Sequence, residues 1–119
     1  MQILFESGEE DPEIKGLNLI KGTVPKFKIE QKVPQIGWNS ITKMKYSKLL
    51  NGINNLDFFY FVHSYYCITD DKESILTKTD YGINFVSAIE KDNIYATQFH
   101  PEKSGKSGLK LLKNFCEVI

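Results

Sequence analysis

The apolar positions along the chain change period several times, and each change marks an expected element. Met1, Leu4 and Phe5 fall on one helical face, followed by the acidic run Glu6, Glu9, Glu10 and Asp11 and a stop at Pro12, which predicts an N-terminal helix. No Ser, Thr, Asp or Asn stands before that segment to satisfy its first free amides, so the helix reads as one that starts upstream of Met1. Residues 17–24 alternate loosely and end at Gly22 and Pro25, a short strand and turn. Residues 33–41 are extended, and Pro34 and Gly37 make them an edge strand or a bulged one. Residues 47–50 read as a helical turn closed by Asn51-Gly52.

Residues 58–67 form the most apolar run, and their aromatic density predicts a strand buried on both faces. Residues 75–79, 84–90 and 94–99 are three more strands, separated by turns at Asp80-Tyr81-Gly82 and Lys91-Asp92-Asn93. Residues 106–119 close the chain as a helix. Its apolar stripe is Leu109, Leu112, Phe115 or Cys116, and Ile119, with Lys106, Lys110, Lys113 and Glu117 opposite. The helix is expected to cover the sheet through Leu109, Leu112 and Phe115.

A length of 119 residues fits one α/β unit and leaves no room for two full-sized domains. Fifteen basic residues balance fifteen acidic ones, which argues against a sequence-independent nucleic-acid binder. Every basic residue is a lysine, so bidentate guanidinium clamping of phosphate or carboxylate is excluded within this chain. Two cysteines are too few for a disulfide framework. With no secretory signal and no apolar run long enough to cross a bilayer, a cytoplasmic setting without membrane contact is expected.

The chain has two histidines, His63 and His100, each at the end of an apolar strand, where open α/β sheets present side chains to a ligand crevice. Either could instead be an ordinary hydrogen-bonded residue of the fold. Glu102 follows His100 by two positions, with Pro101 between them to stiffen the turn. Such a carboxylate can fold back onto the ring, fix its tautomer and stabilise the imidazolium, as in a nucleophile–His–acid triad. An incidental surface glutamate is the competing reading.

Other motifs fail. Ser104-Gly105-Lys106-Ser107 ends like a phosphate loop, but His100 occupies the place of its first glycine. His63, Cys67, His100 and Cys116 lack the paired spacing of zinc ligands, so neither a metal nor another cofactor is expected. Cys116 lies on the apolar stripe, where a core thiol is expected, and Cys67 has no glycine elbow to expose its sulfur. The chain offers a base and an orienting acid without a nucleophile.

The segment Ala96-Thr97-Gln98-Phe99-His100-Pro101-Glu102-Lys103-Ser104-Gly105 resembles the His-Glu motif of class I (triad-type) glutamine amidotransferases. Pro34-Gln35-Ile36-Gly37-Trp38-Asn39 and Phe61-Val62-His63-Ser64-Tyr65 are similar, within that family, to the glutaminase subunits of imidazole glycerol phosphate synthases of histidine biosynthesis. The resemblance runs over essentially the whole chain. It implies an incomplete class I amidotransferase-like (flavodoxin-like) α/β fold, with a mixed sheet and a C-terminal helix. Residues 1–119 would then be the C-terminal part of a single domain. In the family the nucleophilic cysteine sits in a Gly-x-Cys-x-Gly-Met-Gln elbow. Met1-Gln2-Ile3-Leu4-Phe5-Glu6-Ser7 matches from that Met-Gln onward, which places the cysteine and the oxyanion strand outside this sequence.

The resemblance further implies that His100 shuttles the proton, that Glu102 orients it, and that Gln2, His63, Ser64 and Tyr65 hold glutamine. It places Pro34, Gln35, Gly37, Trp38, Asn39, Tyr60 and Lys103 against a (β/α)8-barrel cyclase subunit that receives the ammonia. A separate N-terminal half is a further implied partner. Two alternatives stand beside this reading: a paralogous amidotransferase of a bacterial surface-sugar pathway, and a non-catalytic remnant that only binds. On any of them, His63 and His100 should share one rim and His100 should lie within hydrogen-bond reach of Glu102. Unpaired sheet edges should make the chain poorly stable or self-associating when expressed alone.

Overall fold

Short β-branched and aromatic runs, cut by Asn, Asp and Gly, give eight strands ahead of one α-helix in the computed structural model, which describes residues 1–11, 13 and 15–117. The strands are β1 (Phe5–Gly8), β2 (Ile20–Val24), β3 (Gln35–Ser40), β4 (Thr42–Lys43), β5 (Phe58–His63), β6 (Ile75–Asp80), β7 (Asn84–Lys91) and β8 (Ile94–Thr97). The helix, α1, spans Gly105–Glu117. Parallel and antiparallel pairing both occur, distributed over three sheets: β1 with β2 in parallel, β3 with β5 antiparallel, and β4-β6-β7-β8 antiparallel.

The apolar residues at 1, 4 and 5 make only a single 3₁₀ turn, Gln2–Leu4, and then β1, rather than the helix their spacing predicts. Backbone pairing of Phe5 with Ile20 and of Gly8 with Val24 wins over the local pattern. Pro12, the expected stop, lies outside the described residues. β5 differs in burial. It alternates, with Phe59, Phe61 and His63 inward and Phe58 and Val62 outward, because one face of the β3–β5 pair stays open. The turn at Lys48–Leu50 forms as expected, capped by the Ser47 hydroxyl, which accepts from the Leu49 N–H.

Phe59 and Phe61 of β5 join Phe27, Ile41, Leu49, Leu76, Phe85, Phe99 and Leu111 in the larger core, while Phe5, Ile20, Cys67 and Ile89 centre a second cluster. Each fully buried phenylalanine contributes about 1.5–3 kcal/mol of transfer free energy.

The face of α1 that packs inward is not the leucine stripe. Gly108, Leu111 and Asn114 are buried, whereas Leu109, Leu112 and Phe115 are 69%, 36% and 51% exposed, and Cys116 is exposed as well. Two contacts set this rotation. A Cβ on Gly108 would lie 1.9 Å from the Pro101 carbonyl oxygen, so only glycine lets the helix approach there. The Asn114 amide donates to the carbonyls of Leu49 (2.9 Å) and Asn51 (2.7 Å), satisfying groups that the 3₁₀ turn leaves free. Ile119, the last position of the predicted stripe, is outside the described residues.

Candidate active site

Three main-chain ties fix the turn that carries His100. The His100 N–H donates to the Tyr60 carbonyl of β5 at 2.9 Å. Ser104, buried at the start of α1, donates its hydroxyl to the His100 carbonyl (2.6 Å) and accepts from the Tyr60 N–H (2.9 Å). Pro101 opens a 3₁₀ turn, Pro101–Lys103, whose fixed φ aims Glu102 back at the ring. The result is a contact of 2.8 Å between His100 Nδ1 and Glu102 Oε1. Nδ1 is thereby the protonated nitrogen, and Nε2 is left free to accept a proton from a reacting group.

Both side chains are about half exposed. The Glu102 carboxyl sits below the usual carboxylate range, first because its own backbone N–H bonds it, then through His100 and the charge of Lys103, with slight burial opposing. It is therefore a carboxylate at neutral pH.

His63, at the end of β5, is in another setting. It is buried among Phe27, Phe61 and Phe85, with ring centroids 5.1, 5.7 and 5.3 Å away. Its Nδ1 meets the Tyr65 carbonyl at 2.7 Å and its Nε2 meets Gln35 Oε1 at 2.5 Å. Burial pushes its pKa below 6.5, the Tyr65 bond opposes that, and the charge of nearby His100 pushes further down.

Gln2 completes the group. Its amide donates to the Tyr65 carbonyl (3.0 Å) and to Gln98 Oε1 (2.9 Å), two positions before His100. Gln2 also opens onto a cleft of about 580 Å³ along β1 and β2, lined by Ile3, Phe5, Ser7 and Gly8, which does not include His100 or Glu102. The Ser64 carbonyl accepts from the Phe27 N–H at 2.9 Å.

The residues expected to face a partner divide. Trp38 is 53% exposed on β3 and its ring meets Tyr60 edge-on at 6.1 Å. Register puts Ile36 opposite Val62, Trp38 opposite Tyr60 and Ser40 opposite Phe58, so one face of this strand pair is an open apolar strip. Lys103 is exposed, while Pro34, Gly37, Asn39 and Tyr60 are partly covered. Gln35 departs from expectation: it is 0% exposed and its side chain points inward to His63. On an alternating strand it takes the face opposite Ile36. Ser104 and Gln98 are the positioning residues that sequence reasoning missed. Only their nearness to His100 in the chain hinted at them.

Neither cysteine reaches His100. Burial raises the Cys67 thiol to about 12, which leaves almost no thiolate at neutral pH, and Cys116 sits on the outer side of α1. Among the described residues no group of three or more His, Cys, Asp or Glu side chains could hold a metal, and no helix is long and apolar enough to cross a membrane.

Residues 1–119 match the family model described as glutamine amidotransferase class-I. Among curated proteins, the chain is 56% identical over its whole length to the imidazole glycerol phosphate synthase subunit HisH of Methanocaldococcus jannaschii, covering 60% of that protein. It is 52% identical over 97% of its length to the HisH subunit of Aquifex aeolicus, covering 56% of it. The chain thus spans about 60% of the length of such relatives. A crystal structure ascribed to a GMP synthase subunit of Thermoplasma acidophilum superposes with a TM-score of 0.64 over 79% of this chain and 46% of that one, at 22% identity. That likeness concerns the fold.

Proposed function

The chain belongs to the class I glutamine amidotransferase family, and from that premise we propose that it carries the acid–base half of a glutaminase that feeds ammonia to an imidazole glycerol phosphate synthase. The observation that carries this is the His100 Nδ1–Glu102 Oε1 contact of 2.8 Å, which leaves Nε2 free on a turn pinned to β5. The named relatives, which are subunits of that synthase, support the pathway.

The nucleophile is a cysteine on a segment other than these residues, since Cys67 is buried as a thiol and Cys116 faces away. His100 Nε2 takes the proton of that cysteine, and the thiolate adds to the carboxamide carbon of glutamine. The C–N bond breaks as His100 returns the proton to the leaving ammonia. Water, deprotonated by the same Nε2, then cleaves the glutamyl thioester, releasing glutamate and freeing the thiol. Glu102 keeps the ring oriented and stabilises its charged form. Gln2 contacts the substrate beside that cysteine, and His63, Ser64 and Tyr65 hold the amino-acid end of glutamine.

The partner is a (β/α)8-barrel cyclase seated on the apolar strip of Ile36, Trp38, Tyr60, Phe58 and Val62, with Lys103 at its margin. Exposed tryptophan beside aromatic neighbours is typical of an interface anchor. A non-catalytic binding role is the second reading, favoured by the burial of Cys67, and one experiment separates the two. Mixed with a segment bearing Gly-x-Cys-x-Gly, the chain is expected to release glutamate from glutamine. His100→Ala abolishes that release, whereas Cys67→Ser and Cys116→Ser keep it. Release by the 119-residue chain alone, lost on Cys67→Ser, would overturn the assignment of the nucleophile. Silence in every mixture would favour the binding role.

A further inference from the structure

A chain of hydrogen bonds leads from the exposed strand β3 to the candidate site. Asn39, next to Trp38, accepts from Gln35 Nε2 at 2.8 Å. Gln35 Oε1 meets His63 Nε2 at 2.5 Å, and His63 Nδ1 meets the Tyr65 carbonyl at 2.7 Å. That carbonyl also accepts from Gln2, which reaches Gln98. Gln35 and His63 are directly opposed across β3 and β5, and both are buried. A buried amide such as that of Gln35 is costly unless fully satisfied.

The donor and acceptor roles can be counted. The Tyr65 carbonyl can only accept, so His63 Nδ1 carries a hydrogen in every satisfied arrangement. With Gln35 donating to Asn39, its oxygen faces His63 Nε2, which must then also carry a hydrogen, and the ring is an imidazolium. If the amides of Gln35 and Asn39 both turn over, Gln35 donates to a bare Nε2 and the ring is neutral. The two amides therefore read the charge of His63 as a pair, and in both arrangements the ring stays clamped between Gln35 and Tyr65. His100 is the ionisable side chain that presses on His63, and it favours the neutral ring.

We propose that Gln35 and Asn39 are positioning residues that hold His63 with Nδ1–H on the Tyr65 carbonyl, and so fix the 63–65 loop and Gln2 in one geometry. What that loop holds, glutamine, rests on the function proposed above; the clamp itself does not.

The test is 15N-detected imidazole NMR on the 119-residue chain in a His100→Asn background, which leaves His63 as the one imidazole. The expected signal is a His63 ring protonated at Nδ1. Gln35→Glu, which can only accept at Nε2, should raise the proton affinity of His63 by at least about tenfold. Asn39→Asp touches Gln35 rather than His63, yet it forces Gln35 to turn its oxygen to the ring. It should raise the affinity several-fold, and Gln35→Met added to it should cancel most of that rise. A neutral Nε2–H ring in the unsubstituted background, or an Asn39→Asp effect unchanged by Gln35→Met, would overturn the clamp.

In the enzyme reconstituted with a cysteine-bearing segment, Gln35→Met should raise KM for glutamine about tenfold while kcat changes far less, since His100 hangs from Tyr60 and Ser104 instead. Equal loss in kcat and kcat/KM would contradict a positioning role for the loop. A reconstituted enzyme that releases no glutamate at all would count against the proposed function and leave the NMR result standing.

Discussion

His63 ends β5, and His100 is tied to Tyr60 of the same strand, yet the two rings sit in opposite conditions. His63 is buried in an aromatic cage with both ring nitrogens engaged, while His100 is half exposed with one nitrogen held by Glu102 and the other free. A base needs a nitrogen that can change its proton at the reacting centre, and only His100 has one. Full engagement suits a residue that holds a loop in place. The same side chain is thus suited to two different purposes, distinguished by the number of occupied nitrogens.

The contrast can be broken at several points. Glu102→Gln should remove the charge that orients and stabilises the His100 ring. In the reconstituted enzyme kcat should fall roughly 10²-fold to 10⁴-fold, below the loss on the order of 10⁶-fold expected for His100→Ala. Steady-state glutamate release measures both. A Glu102→Gln enzyme with unchanged kcat would leave Glu102 as a bystander.

Gly108→Ala comes next in size. Its methyl would sit 1.9 Å from the Pro101 carbonyl and 2.7 Å from Ser104 Cβ, so α1 must back away from the His100 turn. A loss of about 1–3 kcal/mol is expected from such overpacking, read as a lower Tm, with reduced glutamate release and no change at the His63 ring.

The smallest effect is on pH dependence. An unfolded His63 takes up a proton near pH 6.5, whereas the folded one does so only at lower pH because burial opposes the charge. Between those values the unfolded chain binds more protons. Stability should therefore fall as pH drops through 6.5 and level off below the folded value. Urea melts across that window should show the fall, and His63→Gln should flatten it. An unchanged slope would mean that His63 is not held neutral.

The His100–Glu102 pair was legible in the sequence because its cause is local: two positions, one proline and a turn. Strands β5 to β8 were legible from their aromatic and β-branched runs and the Asn, Asp and Gly between them. The buried face of α1 was not, because Gly108 against Pro101 and Asn114 against Leu49 and Asn51 set it from a distance. Leu109, Leu112 and Phe115 satisfied the periodic pattern and still face outward. Gln35 was read as part of a surface for the same reason. Its partner, His63, is 28 positions away and meets it only through strand register.

On the proposed function this chain supplies the proton carrier, and another segment the thiolate. Acid quenching of the reconstituted enzyme during turnover, followed by mass spectrometry of its peptides, tests that directly. A glutamyl thioester is expected on the cysteine of the added Gly-x-Cys-x-Gly segment, with Cys67 and Cys116 unmodified. A glutamyl group on Cys67 would contradict it.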